Sequence, residues 1–145
     1  MTLPDFSGAT PQDRLASLRS SVSGRIVFTT SFGIEDQAIT HMIREGGLDI
    51  DIVTLDTGRL YSETHAVWAE TELRYGLRVR SFHPDPQALA ALLDDWGANG
   101  FYHTKDARLA CCGVRKVEPL KRAKAGLDAW ISGRKAFQSV TRQNL

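Results

Sequence analysis

Cysteine is nearly missing from this chain: its 145 residues hold two, side by side at Cys111 and Cys112. Two neighbouring cysteines are not the disulfide framework that staples small secreted domains. A bridge between neighbours is strained, so the pair is not a structural staple either. Long apolar runs are also missing, and none approaches the ~20 residues of a membrane-spanning helix. The opening stretch, MTLPDFSGATPQDRL, lacks the basic-then-apolar layout of a signal peptide. Charge of one sign is not in excess: 18 Lys+Arg face 17 Asp+Glu, a net charge of +1. That balance argues against bulk attraction to nucleic acid or to a membrane surface. There is no internal repeat and no low-complexity tract. What is present, 42% hydrophobic and 24% charged residues, suits one soluble domain with its own core, expected in the reducing cytoplasm.

The pattern along the chain alternates helix and strand. Residues 1–10 read as a loose leader. TPQDRLASLRSSV carries a helix start, Thr10 as N-cap and Pro11 at the first helical position, with Leu15, Leu18 and Val22 at apolar spacing. GRIVFTT (24–30) is a short β-branched run and predicts a buried strand. IEDQAITHMIREGG predicts a helix closed by Gly46 and Gly47. DIDIVTLDTG (49–58) is a second strand ending in a polar turn. SETHAVWAETELRYG (62–76) is a helix that Ser62 can cap and Gly76 ends. LRVRSFHP (77–84) alternates like a strand and stops at Pro84, DPQALAALLDDWG is helical, and AWIS (129–132) is a last short strand. Strands separated by helices of this length predict βαβ units and a parallel sheet, whose ligands bind beyond the carboxyl ends of the strands.

Three such strand ends carry chemistry. In TTSFGIEDQ (29–37) a strand runs through Ser31, Phe32 and Gly33 into a helix. The free N–H groups of the helix start and the Thr30 and Ser31 hydroxyls make a candidate anion site, though without the lysine of a Walker A loop, and the segment reads equally as a strand–helix turn that uses glycine for its geometry. In LDTGRLYSET (55–64), Asp56 and Thr57 offer an acceptor and a hydroxyl, and Gly58 allows close backbone approach; the same tripeptide is also plain turn chemistry. In LDAWISGRKAFQSVTRQNL (127–145), Arg134, Lys135 and Arg142 with nearby hydroxyls can clamp a phosphate or sulfate, or be a solvated basic tail.

The paired cysteines complete the set. In a helix they point about 100° apart, so one can be a small buried hydrophobe. Arg108, Arg115 and Lys116 lie a turn to either side, and positive charge favours the thiolate, the metal-binding form. An iron–sulfur cluster takes four cysteines in the usual case, and nothing in the spacing recruits His103 to a zinc site. His41, His65 and His83 receive no role, and Trp68, Trp96 and Trp130 are expected in the core.

Together and in this order, TTSFGIEDQ, DIVTLDTGRLYSET, CCGVRKVEPLKRA and AWISGRKAFQSVTR closely resemble the assimilatory adenylyl-sulfate and phosphoadenylyl-sulfate reductases, over roughly residues 24–142. The tandem cysteine followed by RKVEPL is the most specific match. The resemblance implies a three-layer, parallel-sheet α/β fold of the adenine-nucleotide α-hydrolase-like type, related to the ATP pyrophosphatases. It implies thioredoxin-dependent (or glutaredoxin-dependent) reduction of adenylyl sulfate, or its 3′-phosphorylated form, to sulfite and AMP, in sulfate assimilation and cysteine biosynthesis. Carried over, Ser31, Phe32 and Gly33 would line the nucleotide pocket, and Leu55, Asp56, Thr57 and Gly58 would hold the adenosine end. Lys116 would sit between cluster and substrate, and Gly133, Arg134 and Arg142 would hold the phosphosulfate. Cys111 and Cys112 would ligate a [4Fe-4S] cluster, a feature of the branch that prefers adenylyl sulfate. Phe32 and Ile34 would make the loop bulkier than its pyrophosphate-binding relatives.

The family pattern continues with a Cys-x-x-Cys pair and a tail bearing the cysteine that attacks sulfur to form a thiosulfonate. Residues 1–145 are therefore expected to be a single reductase-like domain lacking that pair and tail, holding half of the cluster ligands and unable by itself to form the thiosulfonate. The alternatives are a cluster shared between two subunits of a homo-oligomer, and a catalytically incomplete adenine-nucleotide-binding module. An ATP pyrophosphatase-type transferase is disfavoured by Phe32.

Overall fold

The computed structural model describes residues 3–134. Its elements run α1 (Pro11–Ser21), β1 (Ile26–Thr29), α2 (Ile34–Glu45), β2 (Asp51–Leu55), α3 (Ser62–Tyr75), β3 (Arg80–Phe82), α4 (Pro86–Trp96), α5 (Lys105–Cys112), α6 (Glu118–Ala123) and β4 (Ala129–Ser132). A 3₁₀ turn (Gly100–Tyr102) precedes α5, and a π-helical turn (Gly113–Val117) joins α5 to α6. No helix among the described residues is long and apolar enough to cross a membrane.

The four strands form one sheet in the order β3-β2-β1-β4. β1 and β4 pair in parallel, Ile26 opposite Ala129 through Thr29 opposite Ser132, and β2 and β3 pair in parallel from Val53 and Arg80. Ile26, Val27, Phe28 and Val53 are at most 1% exposed. Burial of consecutive residues, rather than of every second one, is the mark of a parallel strand covered on both faces. This is the parallel α/β class read from the sequence. The first strand in the chain has β2 on one side and β4 on the other: the chain steps outward from β1 to β2 and β3, then returns to place β4 on the far side of β1, so strand order reverses there. Such a switch point opens a crevice beyond the carboxyl ends of the two strands. Residues up to Ile52 with those from Leu127 form one compact unit, and Val53–Gly126 form a second.

Local chemistry explains most boundaries. Thr10 Oγ1 accepts from the Asp13 amide at 3.1 Å, with Pro11 in the first helical turn. Replacing Thr10 by alanine is expected to cost about 1 kcal/mol, read as a lower denaturant midpoint at unchanged slope.

Three expectations are corrected. The N-cap of α3 is Tyr61, not Ser62, which is the first helical residue and donates its hydroxyl to Glu63 at 3.3 Å. The strand expected over 77–84 narrows to Arg80–Phe82, because the chain before it is still closing α3. Leu77 N donates to the Glu72 carbonyl at 3.2 Å and Val79 N to the Glu72 carboxylate at 2.9 Å. Trp96 is not core: it is 40% exposed at the last turn of α4. Trp68 and Trp130 are half-buried.

Candidate functional site

Within the first unit, the site grows from a buried carboxylate. Asp36, 9% exposed in the first turn of α2, accepts from Ser31 N at 2.7 Å and from Ser31 Oγ at 2.9 Å through one oxygen. Its other oxygen lies against the backbone of Gly133, where a Cβ would sit 1.9 Å away. One side chain thus holds the loop after β1 and packs against the segment after β4, at the switch point. Only glycine fits at 133.

Between these anchors the backbone is strained. Phe32 has φ of 64°, the left-handed region that a bulky residue rarely enters. Its buried ring and the bond from its amide to Thr30 Oγ1 at 3.0 Å hold it there. Over-determined strain of this kind gathers at functional loops. With the Phe32 ring buried, the bulk that this loop shows to solvent is Ile34, 82% exposed. Gly33 is the N-cap of α2 and supplies no side-chain cap. The first amide bonded within the helix is Gln37 N, which donates to Gly33 O at 2.9 Å. Amides ahead of it at a helix start favour an anion.

A cation, Arg134, follows the carboxyl end of β4. Arg134 is exposed, its Nε 3.3 Å from Ser132 Oγ and its guanidinium carbon 5.4 Å from the centre of the Trp130 ring. The indole is itself pinned to β1, donating to Thr29 Oγ1 at 3.0 Å. Lys135 and Arg142 lie outside the described residues.

Within the second unit, β2 ends at Leu55 in a turn that binds itself. Asp56 Oδ1 accepts from Gly58 N at 3.0 Å, and Thr57 Oγ1 accepts from Arg59 N at 3.1 Å. Asp56 N donates to Phe82 O at 2.9 Å, fixing the turn to the end of β3. The second oxygen of Asp56 is 3.9 Å from His83 Nδ1, whose other ring nitrogen is 2.9 Å from Ser81 Oγ. Sequence reasoning gave His83 no role, yet the pairing of the ends of β2 and β3 brings it to the turn.

Cys111 is half-buried and Cys112 exposed at the end of α5, and both are free thiols. Among the described residues no group of three or more His, Cys, Asp or Glu is gathered to hold a metal. Two thiols are the right donors for an iron–sulfur cluster and half the usual number. The π turn that follows separates the two cations predicted to act on them. Lys116 is exposed, whereas Arg115 is 6% exposed and donates from Nη1 to Thr57 O at 2.6 Å. Arg115 is thus held by the Asp56–Gly58 turn, a role the sequence reading missed.

A parallel α/β sheet with a helix start, a strained loop and a cation past its strand ends places the chain in the open-sheet α/β class, whose ligands bind at such a switch point. The phosphoadenosine phosphosulfate reductase domain family matches residues 25–145, and the chain belongs to that family. Among similar proteins, the adenosine 5′-phosphosulfate reductase of Allochromatium vinosum is 51% identical over 120 residues, 83% of this chain and 47% of its own length. That of Sinorhizobium fredii is 47% identical over 129 residues, 89% of this chain and 51% of its own. The chain spans about half the length of the curated relatives it matches. A crystal structure of the phosphoadenylyl-sulfate reductase of Candida auris, a phosphate complex, shares the fold: TM-score 0.73 at 21% identity, covering 89% of this chain and 63% of that one.

Proposed function

We propose that this chain is the nucleotide-binding part of a thioredoxin-dependent or glutaredoxin-dependent adenylyl-sulfate reductase, which yields sulfite and AMP for sulfate assimilation in the cytoplasm. One observation carries the reading: Asp36 holds Ser31 and packs against Gly133 at the switch point, in the first turn of a helix without a side-chain cap, with Arg134 following the end of β4. That end of the unit offers amides, a hydroxyl and a cation, which suits a phosphosulfate. Ser31, Phe32 and Gly33 would line the nucleotide pocket, and Gly133, Arg134 and Arg142 would take the phosphosulfate. Leu55 and the Asp56–Gly58 turn would take the adenosine end. A sulfate attacked by a thiolate gains negative charge, which fixed cations such as Arg134, Arg142 and Lys116 stabilise.

Cys111 and Cys112 would hold one side of a [4Fe-4S] cluster, which supplies an iron centre beside Lys116 when bound. The relatives at 47% and 51% identity, both named adenosine 5′-phosphosulfate reductases, favour adenylyl sulfate over its 3′-phosphorylated form. A shared cluster would require a second copy of the chain, which iron and sulfide counts after oxygen-free purification would reveal.

Calorimetric titration tests the reading. AMP and adenylyl sulfate are expected to bind, with ATP at least about tenfold weaker. Arg134→Ala should weaken adenylyl sulfate by about tenfold and AMP by less, since only the former carries the sulfate. Tight ATP binding would sink the proposal in favour of an ATP-using enzyme. Binding of adenylyl sulfate without sulfite release in the presence of thioredoxin would assign this chain the binding step alone.

A further inference from the structure

We propose that Arg115 is the positioning residue of the Asp56–Gly58 turn, and that nucleotide affinity depends on it through the backbone of that turn. This rests on the reading of the turn as the adenosine end.

Among the described residues Arg115 is a buried cation without a counterion. It is 6% exposed, takes part in none of the ion pairs among the described residues, and its Nε has no hydrogen-bond partner. Burying a charge in that state disfavours folding, so stability is a poor reason for an arginine here. What the guanidinium does hold is the Thr57 carbonyl, at 2.6 Å. The side chains of Asp56 and Thr57 serve amides of their own turn, which shapes the turn without fixing its inner face. Arg115 fixes that face. It also lies under Gly58, whose φ is +76° and whose position would put a Cβ 3.1 Å from Nη1. Turn and guanidinium are therefore fitted to each other at two adjacent residues.

The helix is distorted to bring Arg115 there. Pro119 has no N–H to return to the carbonyl of residue 115, and its ring crowds that carbonyl in a regular helix. The chain widens instead, and Glu118 N donates to Gly113 O, five residues back. π turns are rare and are found mostly at functional sites. This one turns Arg115 inward and leaves Lys116 exposed, directly after the two cysteines.

The test uses the full chain and the variants Arg115→Met and Arg115→Lys. Three readouts are needed: thermal unfolding, amide hydrogen exchange, and AMP affinity by calorimetry. Methionine keeps the apolar stem and removes the unpaired charge, so the unfolding temperature should hold or rise. Exchange at the Gly58 and Arg59 amides should quicken by roughly tenfold to a hundredfold, as expected for loss of a charged hydrogen bond, while core strand amides stay as they were. AMP affinity should fall by about tenfold, and lysine, which keeps a donor, should restore part of both effects.

Unchanged exchange at 58 and 59 overturns the proposal, as does a uniform loss of protection with a fall in unfolding temperature, which marks a merely structural residue. If Arg115→Met does not fold, Arg115→Lys decides: faster exchange confined to the turn supports positioning, and wild-type exchange and affinity refute it. If the wild-type chain binds no AMP, the nucleotide reading fails by itself, and the exchange readout still settles whether Arg115 positions the turn.

Discussion

Gly133→Ala is expected to destabilise the folded chain by about 2–4 kcal/mol and to weaken adenylyl sulfate binding in the fraction that folds. The new Cβ falls 1.9 Å from Asp36 Oδ1, so the carboxylate has to move. Moving it breaks the bonds from Ser31 N and Oγ, which are short and made to a charged acceptor. The loop after β1 then loses the anchor that opposes the left-handed Phe32. The cause is checked by a double-mutant cycle with Asp36→Ala, followed by denaturant unfolding. Without the carboxylate the extra methyl has room, so Gly133→Ala should cost little in the Asp36→Ala background, giving a coupling of about 1–3 kcal/mol. Additive losses would mean that the clash is relieved elsewhere, and that Asp36 does not join the two strand ends.

This carboxylate also shows what the sequence can and cannot declare. The elements were readable because their signals are local: Thr10 and Pro11 start α1, and Gly76 closes α3 in the left-handed conformation. The parallel sheet followed from alternation, and so did the placing of the strand ends near Ser31, Asp56 and Gly133. The partners that shape those ends were not readable. Asp36 reads as an ordinary acidic residue in a first helical turn, and its link to Gly133 spans almost a hundred residues. Glu72 shortens β3 by capturing Val79 N, a contact between a helix side chain and a backbone amide that no periodicity announces. Arg115, next to two thiols, invites an electrostatic reading; Pro119 four residues later was the available sign that the helix there cannot keep its regular register. His83 was passed over because its link to Asp56 exists only once β2 and β3 are paired.

The amino ends of the strands should respond differently, and Arg19→Ala is the variant that separates the two. Arg19 donates from Nη1 to Asp49 O at 2.7 Å, and from Nη2 to Val22 O at 2.6 Å and Gly24 O at 2.7 Å. These carbonyls belong to the chain entering β1 and β2, outside the helix and strand residues themselves. The neighbouring Arg25–Asp51 pair, 2.9 Å apart, is 34% and 52% exposed and contributes little. Arg19 therefore fastens the chain at the amino ends of β1 and β2, and its removal is expected to lower stability by about 2–4 kcal/mol. It lies at the amino ends of the strands, whereas Ser31, Gly133 and Arg134 follow their carboxyl ends. The folded fraction of Arg19→Ala should therefore bind AMP within about twofold of the wild type, because a loss of global stability alone changes the folded population and not the site. If AMP affinity fell along with stability, the strand ends would not be independent, and the effect of Gly133→Ala could no longer be assigned to the loop it touches. A stable site above weakened amino ends would instead locate ligand binding in the strained loop and glycine pair at the switch point.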